Sequence, residues 1–247
     1  MKIYGLIGKP LSHSWSRAYF EEKFRGEKIE DARYALFELE DIGDLRKLVL
    51  SDSGIAGLNV TIPYKISVIE HLDSLHPEAG AIGAVNCIKV NRNGNNVTLE
   101  GHNTDYLAFF QTLLLLIPKG IQKALVLGTG GASRAVCHAL RIAGIEPVLV
   151  SREKQEGMMN YEDVDGAVIR EHLLIVNTTP IGTKGFSDSA PPLPYKDLTD
   201  NHILYDLTYN PPLTQFLKNA VLAGAVAVNG LEMLQIQAEL SWKVWNS

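Results

Sequence analysis

The sequence predicts an α/β protein of two domains, and three observations carry the prediction. Short apolar runs alternate with stretches of helical spacing, as strands covered by helices do. In the second half, runs such as A-L-V-L at 124–127 and I-L-Y-D at 203–206 are apolar almost throughout, as in a parallel sheet buried on both faces. Between the first of these runs and a helical stretch lies G-T-G-G-A-S-R-A, with Gly128, Gly130 and Gly131 where a nucleotide-binding turn places its glycines. The second domain is therefore expected to be Rossmann-like, and the first to hold a mostly parallel sheet.

The elements follow in order. Residues 3–7 read as a strand, 14–24 as a helix, 34–39 as a strand and 44–49 as a helix. In 58–62, Val60 and Ile62 alternate with Asn59 and Thr61 until Pro63 ends the pattern, leaving Lys65 just beyond a strand end. Runs 84–90 and 97–100 flank N-R-N-G, a hairpin-type turn that predicts a partly antiparallel edge. Residues 107–116 form an apolar helix ending at Pro118. After the strand at 124–127 come a helix through Ile142, strands at 147–150, 173–176, 203–206 and 225–228, and a helix from Leu231 to Trp245. The segment between Arg152 and Leu173 is short, and its G-M-M-N-Y-E-D reads as a loop and turn in place of a full helix. S-D-S-A-P-P-L-P at 187–194 reads as a loop.

Composition narrows the function. Of 247 residues, 46% are hydrophobic and 21% charged, ordinary for a folded soluble chain. A net charge of -5 without like-charged blocks argues against a nucleic-acid surface. The start, M-K-I-Y-G-L-I-G, enters a strand without a leader pattern, and the L-L-L-L-I run is too short for a membrane span. Cys87 and Cys137 sit in apolar sequence and read as reduced core residues, which with the rest indicates a cytoplasmic protein. The seven His are scattered, and no metal-ligand spacing appears. Small molecules are the expected partners, with neither nucleic acid nor membrane, and a monomer or homodimer is expected.

The glycine loop gives the cofactor class. Its glycines let backbone approach a pyrophosphate, and the helix start supplies unpaired N–H groups. Thr129 and Ala132 complete the loop, and Ser133 stands at the third fingerprint position, where Gly or Ala is usual. The next strand ends V-L-V-S-R-E-K. Ser151 and Arg152 lie at its tip, and a guanidinium suits the 2′-phosphate of NADP. Glu153 follows, which leaves NAD open as an alternative.

Single residues of the first domain have ordinary readings. Ser14 or Ser16 could cap a helix. Asp105 could be an acid placed at a helix start. Their company is more specific. S-H-S-W-S, N-V-T-I-P-Y-K, G-A-V-N, N-T-D, the glycine loop, Y-D-L-T-Y-N-P and N-G-L-E-M-L-Q-I-Q-A occur in one order from Ile3 to about Trp242, and as a set this resembles shikimate dehydrogenase. The resemblance implies reversible NADP-linked reduction of 3-dehydroshikimate to shikimate, in aromatic amino acid synthesis. It implies that Ser14 and Ser16 hold the substrate carboxylate with help from Tyr209. Thr61, Asn86, Asp105 and Gln237 would bind ring hydroxyls. Lys65 would be the acid/base paired with Asp105, and Leu207 and Gly230 would offer backbone near the nicotinamide. It also implies that the C-terminal helices return to the first domain. Residues 1–104 plus 230–247 would then form the substrate-binding catalytic domain, and 105–229 the NADP-binding domain.

The residue types agree with that chemistry. A polyhydroxy acid matches a lining of Ser, Thr, Asn, Asp, Gln and Tyr. Oxidising an alcohol releases a proton that needs an acceptor within reach, and desolvation favours the neutral amine a lysine needs for that. Lysine as base and lysine as stabiliser of a developing alkoxide both remain open. The sequence departs from the family at Ala108, where Gly is usual, at Thr183, where Met is common, and in the short 152–173 segment. The alternatives are an NAD-linked quinate/shikimate dehydrogenase and a catalytically silent sensor of the same fold.

Overall fold

A computed structural model describes residues 1–11, 14–94, 96–117 and 120–247. Ser12 and His13 of S-H-S-W-S, and Pro118, the expected helix stop, lie outside the described residues. The chain divides into two units, one of Met1–Thr104 with Gln237–Ser247, the other of Asp105–Ile236.

In the first unit, β1 (Lys2–Gly8), β2 (Ala32–Glu38), β3 (Ile55–Val60), β4 (Ser74–Leu75), β5 (Cys87–Asn93) and β6 (Asn96–His102) form one sheet in the order β2-β1-β3-β5-β6-β4. β1 is parallel to β2 and β3, and β5 is antiparallel to β3 and β6. The antiparallel strand thus lies inside the sheet, and the edge is the two-residue β4, parallel to β6. Gly94, at φ 58°, begins the reversal after β5, in the left-handed region that glycine enters without a Cβ clash.

Alternation along β1 sends its side chains into two cores. Ile3 and Ile7 join Leu58, Val60 and Ile88 under Leu45 and Val49 of α2 (Leu45–Ser51). Tyr4 and Leu6 join Tyr34 and Cys87 under Phe20 and Phe24 of α1 (Trp15–Gly26), with Ala238 and Trp245 of α8 (Leu231–Trp245). Trp245 stacks on Tyr4 at 4.8 Å between ring centroids, and its indole N–H donates to the Ile88 carbonyl at 3.1 Å. Gly57 makes room for it, since a Cβ there would lie 2.3 Å from the indole.

A short helix, α3 (Pro77–Ile82), precedes β5 and ends at Gly83, which adopts a left-handed conformation. β3 starts at Ile55 and stops at Val60, earlier than the alternation predicts, so Thr61 to Lys65 form a turn. Asn86 likewise sits in a bend just before β5, not within a strand.

In the second unit, β7 (Lys123–Leu127), β8 (Glu146–Ser151), β9 (Met159–Asn160), β10 (Leu174–Asn177), β11 (Ile203–Asp206) and β12 (Val226–Asn229) form a sheet in the order β12-β11-β10-β7-β8-β9. Every neighbouring pair is parallel. The order reverses between β7 and β10, the switch point at whose carboxyl ends such sheets bind ligands. The helices are α4 (Asp105–Leu114), α5 (Gly131–Ile142), α6 (Gly166–Glu171) and α7 (Gln215–Leu222). Leu125, Leu127, Val150, Ile175 and Leu204 form the core with Phe216 and Leu217 of α7. The 152–173 segment holds β9, one turn at Tyr161–Asp163 and the six-residue α6, with no helix between β8 and β9.

The return to the first unit falls at Gln237, inside α8, later than the expected boundary at Gly230. A continuous helix carries no composition break to mark such a crossing. Both cysteines are buried free thiols. Among the described residues, no helix is long and apolar enough to cross a membrane.

Trp245→Ala should lower stability by about 3–5 kcal/mol, the usual cost of emptying a buried indole site. Urea unfolding of the variant beside the parent measures it, and an unchanged midpoint would mean that α8 is not anchored through Trp245.

Candidate active site

In the first unit, Asn86 and Gln237 belong to a buried polar cluster. Asn86, 2% exposed, accepts from the Thr104 N–H at 2.6 Å through Oδ1, and its Nδ2 donates to Thr104 Oγ1 at 2.9 Å. The same Nδ2 lies 3.4 Å from Gln237 Oε1. Thr104 Oγ1 contacts Ser241 Oγ at 3.2 Å, and Ser241 receives a bond from Asn59 Nδ2 at 2.8 Å. Asn59 Oδ1 accepts from the Tyr34 hydroxyl at 2.9 Å. Two predicted residues, Asn86 and Gln237, therefore meet directly, within a network that runs on through the unpredicted Thr104, Ser241, Asn59 and Tyr34.

Ser14 occupies the position before α1 without making a side-chain cap. Its Oγ is shielded and has no hydrogen-bond partner among the described residues. Capping thus does not explain it. Thr61 donates its N–H to Ile7 at 2.9 Å, and its methyl packs where a Cβ on Gly8 would stand, 2.4 Å away. Lys65 is half-buried, and its carbonyl accepts from the Val85 N–H at 2.7 Å. This bond ties the turn carrying the lysine to the strand approach carrying Asn86. Asn103 Nδ2 donates to the Ala84 carbonyl at 2.9 Å and fixes the run into Asp105.

In the second unit, Asp105 opens α4 and is 5% exposed. The glycine loop follows β7. Gly128 has φ 110°, and a Cβ there would meet Thr178 Oγ1 at 2.8 Å. Gly130 has open space where its Cβ would be, so its backbone is approachable. Gly131 begins α5, whose first N–H groups lack intrahelical acceptors. Ser133 suits the third fingerprint position because it is 1% exposed and its hydroxyl bonds the Gly130 carbonyl at 2.7 Å. These features fit a pyrophosphate lying against backbone. Among the described residues no cluster of three or more His, Cys, Asp or Glu could hold a metal ion.

Ser151 ends β8, and its Oγ accepts from the Glu153 N–H at 3.2 Å. Arg152 is exposed beside it. Gly230 has no alternative at its position, since a Cβ would sit 2.1 Å from the Leu207 carbonyl oxygen. The Gly230 N–H donates to the Thr208 carbonyl at 3.2 Å, and Tyr209 follows, half-buried. Thr183, the departure from the family's usual Met, bonds Thr208 through their hydroxyls at 3.1 Å. Ala108 is fully buried in α4, where its methyl contributes to the core.

Sequence reasoning missed Asp206, which is fully buried beneath these loops. Its carboxylate accepts from Asn177 Nδ2 at 3.0 Å, Thr208 N–H at 3.0 Å and Thr214 Oγ1 at 2.7 Å. Burial outweighs those donors and pushes the carboxyl up to about 6.

Comparison with known proteins follows this geometry. Residues 6–88 match the family model for the shikimate dehydrogenase substrate binding domain. The NADP(+) shikimate dehydrogenase of Methanococcus maripaludis is 35% identical over 99% of this chain and 91% of its own. This chain belongs to the shikimate dehydrogenase family. The crystal structure of shikimate dehydrogenase from Aquifex aeolicus superposes with a TM-score of 0.86 at 34% identity, covering 100% of this chain and 92% of that one. The Thermus thermophilus shikimate 5-dehydrogenase, in complex with NADP(H) and shikimate, gives a TM-score of 0.85 at 33% identity, covering 99% and 93%. The two-unit α/β fold of this chain is thus the shikimate dehydrogenase fold.

Asp206 should make stability pH-dependent. Its folded value lies above the ordinary 3.8, so its contribution is complete below about pH 4 and is lost as pH rises through about 6. Asp206→Asn does not ionise. From pH 4.5 to 7.5, urea unfolding should show the variant gaining on the parent by on the order of 2 kcal/mol. A constant difference would mean that Asp206 does not titrate in that window.

Proposed function

We propose that this chain catalyses the reversible, NADP-linked interconversion of shikimate and 3-dehydroshikimate. The observation that carries the proposal is its whole-length likeness to NADP(+) shikimate dehydrogenases with the motif residues in place. The first unit serves as the substrate-binding catalytic domain and the second as the cofactor domain.

Each residue has a task. Gly128, Thr129, Gly130, Gly131 and Ala132 hold the pyrophosphate on backbone N–H groups. Ser151 and Arg152 hold the 2′-phosphate, the guanidinium supplying paired donors and a fixed charge. Leu207 and Gly230 present backbone to the nicotinamide. When bound, the cofactor accepts or gives the hydride. Ser14 and Ser16 take the substrate carboxylate with Tyr209, and the Ser14 hydroxyl, which has no hydrogen-bond partner among the described residues, supports this use. Thr61, Asn86, Asp105 and Gln237 take the ring hydroxyls. Asn86 reaches that task already immobilised by Thr104.

Lys65 carries the proton. In the direction of alcohol oxidation it removes the hydroxyl proton as the hydride leaves, and in reverse it returns it. Asp105 orients the lysine and the reacting hydroxyl. A second reading, NAD-linked turnover extending to quinate, is supported by Glu153 next to Arg152 in sequence.

Absorbance of reduced cofactor, with shikimate or quinate and NADP or NAD, tests the proposal. Fast NADPH formation from shikimate is expected, and turnover mainly with NAD or quinate would replace the cofactor or substrate assignment. Lys65→Ala should lower kcat by roughly 100-fold or more with a smaller change in KM, as loss of acid–base help does. An unchanged kcat would remove Lys65 from the proton path.

A further inference from the structure

The connection between β8 and β9 is unusual. Parallel neighbours ordinarily need a crossover of a dozen or more residues, most often a helix. Here residues 152–158 join two strands that pair directly, with Val150 opposite Met159 and Ser151 opposite Asn160. The tip of β8, with Arg152, therefore has no crossover helix to pack on. It has Asn160 instead.

Asn160 is 9% exposed and fully engaged. Its Nδ2 donates to the Arg152 carbonyl at 3.0 Å. Its Oδ1 accepts from the Glu162 N–H at 3.1 Å, and its own N–H donates to the Asp163 carboxylate at 3.0 Å. The carboxamide is thus held from one side by the turn at Tyr161–Asp163 and grips the Arg152 backbone from the other. Ser151 Oγ, bonded to the Glu153 N–H, secures the next peptide.

This grip matters because the segment is poor ground for an anion. Glu153, Glu156, Glu162 and Asp163 outnumber Arg152 and Lys154. An arginine free to wander here would pair with its acidic neighbours. Held at its backbone, it keeps one direction of approach.

We propose that Asn160 is a positioning residue for 2′-phosphate recognition: by fixing the Arg152 backbone it sets the preference for a 2′-phosphorylated adenine nucleotide. The inference rests on the Arg152 assignment above but not on turnover. It replaces the packing of a crossover helix with one side-chain hydrogen bond.

The test uses the full chain and two readouts. Calorimetric titration with adenosine 2′,5′-bisphosphate and with adenosine 5′-monophosphate reads recognition of the 2′-phosphate without catalysis. Steady-state KM values for NADP and NAD read it in the working enzyme. Asn160→Ala should weaken the bisphosphate and raise KM for NADP roughly ten-fold, a loss of about one hydrogen-bonded charge contact. It should leave the monophosphate, KM for NAD and kcat within about two-fold, the spread expected of an unperturbed contact. Arg152→Ala should show the same pattern more strongly. Asp163→Ala removes only the acceptor of the Asn160 backbone N–H, while the carboxamide keeps its bonds to the Glu162 N–H and the Arg152 carbonyl, so it should lower thermal stability without weakening the bisphosphate. Equal losses for both ligands in Asn160→Ala, or none while Arg152→Ala is selective, would overturn the inference. Selective loss of the bisphosphate in a chain that does not turn over shikimate would uphold it and sink the proposed reaction instead. A parent that does not favour the bisphosphate would overturn both the inference and the NADP assignment.

Discussion

The Asn86 carboxamide is the point on which the first unit turns. It lies in a bend before β5, and one side chain satisfies the backbone and hydroxyl of Thr104 while touching Gln237. Three distant stretches of chain are thereby held together: the approach to β5, the N-T-D run and the late helix α8. A buried amide is costly unless its donors and acceptors are matched. Here the matching extends through Ser241 and Asn59 to Tyr34. That chain of bonds makes geometry out of a polar interior. A side chain so constrained loses little freedom when it binds.

The second unit relies on a different economy of space. Its loops at the carboxyl ends of β7 and β10, and of β11 and β12, approach each other closely. Gly128 sits against Thr178, and Gly230 against Leu207. Beneath them Asp206 gathers Asn177, Thr208 and Thr214, and Thr208 reaches on to Thr183 and Gly230. One buried carboxyl therefore organises the loops after β10, β11 and β12. Peptide N–H and C=O groups suit a cofactor that is read mostly along its length.

Much of this was legible before any coordinates. The apolar strands, the glycine turn and the terminal helix have strong local signals, and β11 and α8 fall where the pattern puts them. The signals weaken where tertiary contacts decide. β3 begins at Ile55 behind the polar S-D-S-G stretch, whose Asp52 caps the Gly54 N–H at 2.9 Å, so the run hides its own start. β9, at two residues, is too short for any periodicity. The site was legible as motifs and not as a network. Asn59 and Thr104 lie inside quoted motifs yet look like spacers, because their partners are far away in sequence. Ser241 sits in a helix where a serine reads as surface, and Tyr34 in a strand where it reads as core. Asp206 reads as a strand end, and nothing local marks a carboxyl that three donors surround.

The order in which the first unit is made differs from the order in which it is arranged. Tyr4 waits for Trp245, and all of residues 105–236 are synthesised in between. Until α8 arrives, the aromatic face of Tyr4, Phe20, Phe24 and Tyr34 lacks its cover, and Asn59 lacks Ser241. The second unit has its whole sheet in one continuous stretch and carries no such debt. Synthesis in chain order therefore makes the second unit's whole sheet before α8 can cover the first unit's aromatic face.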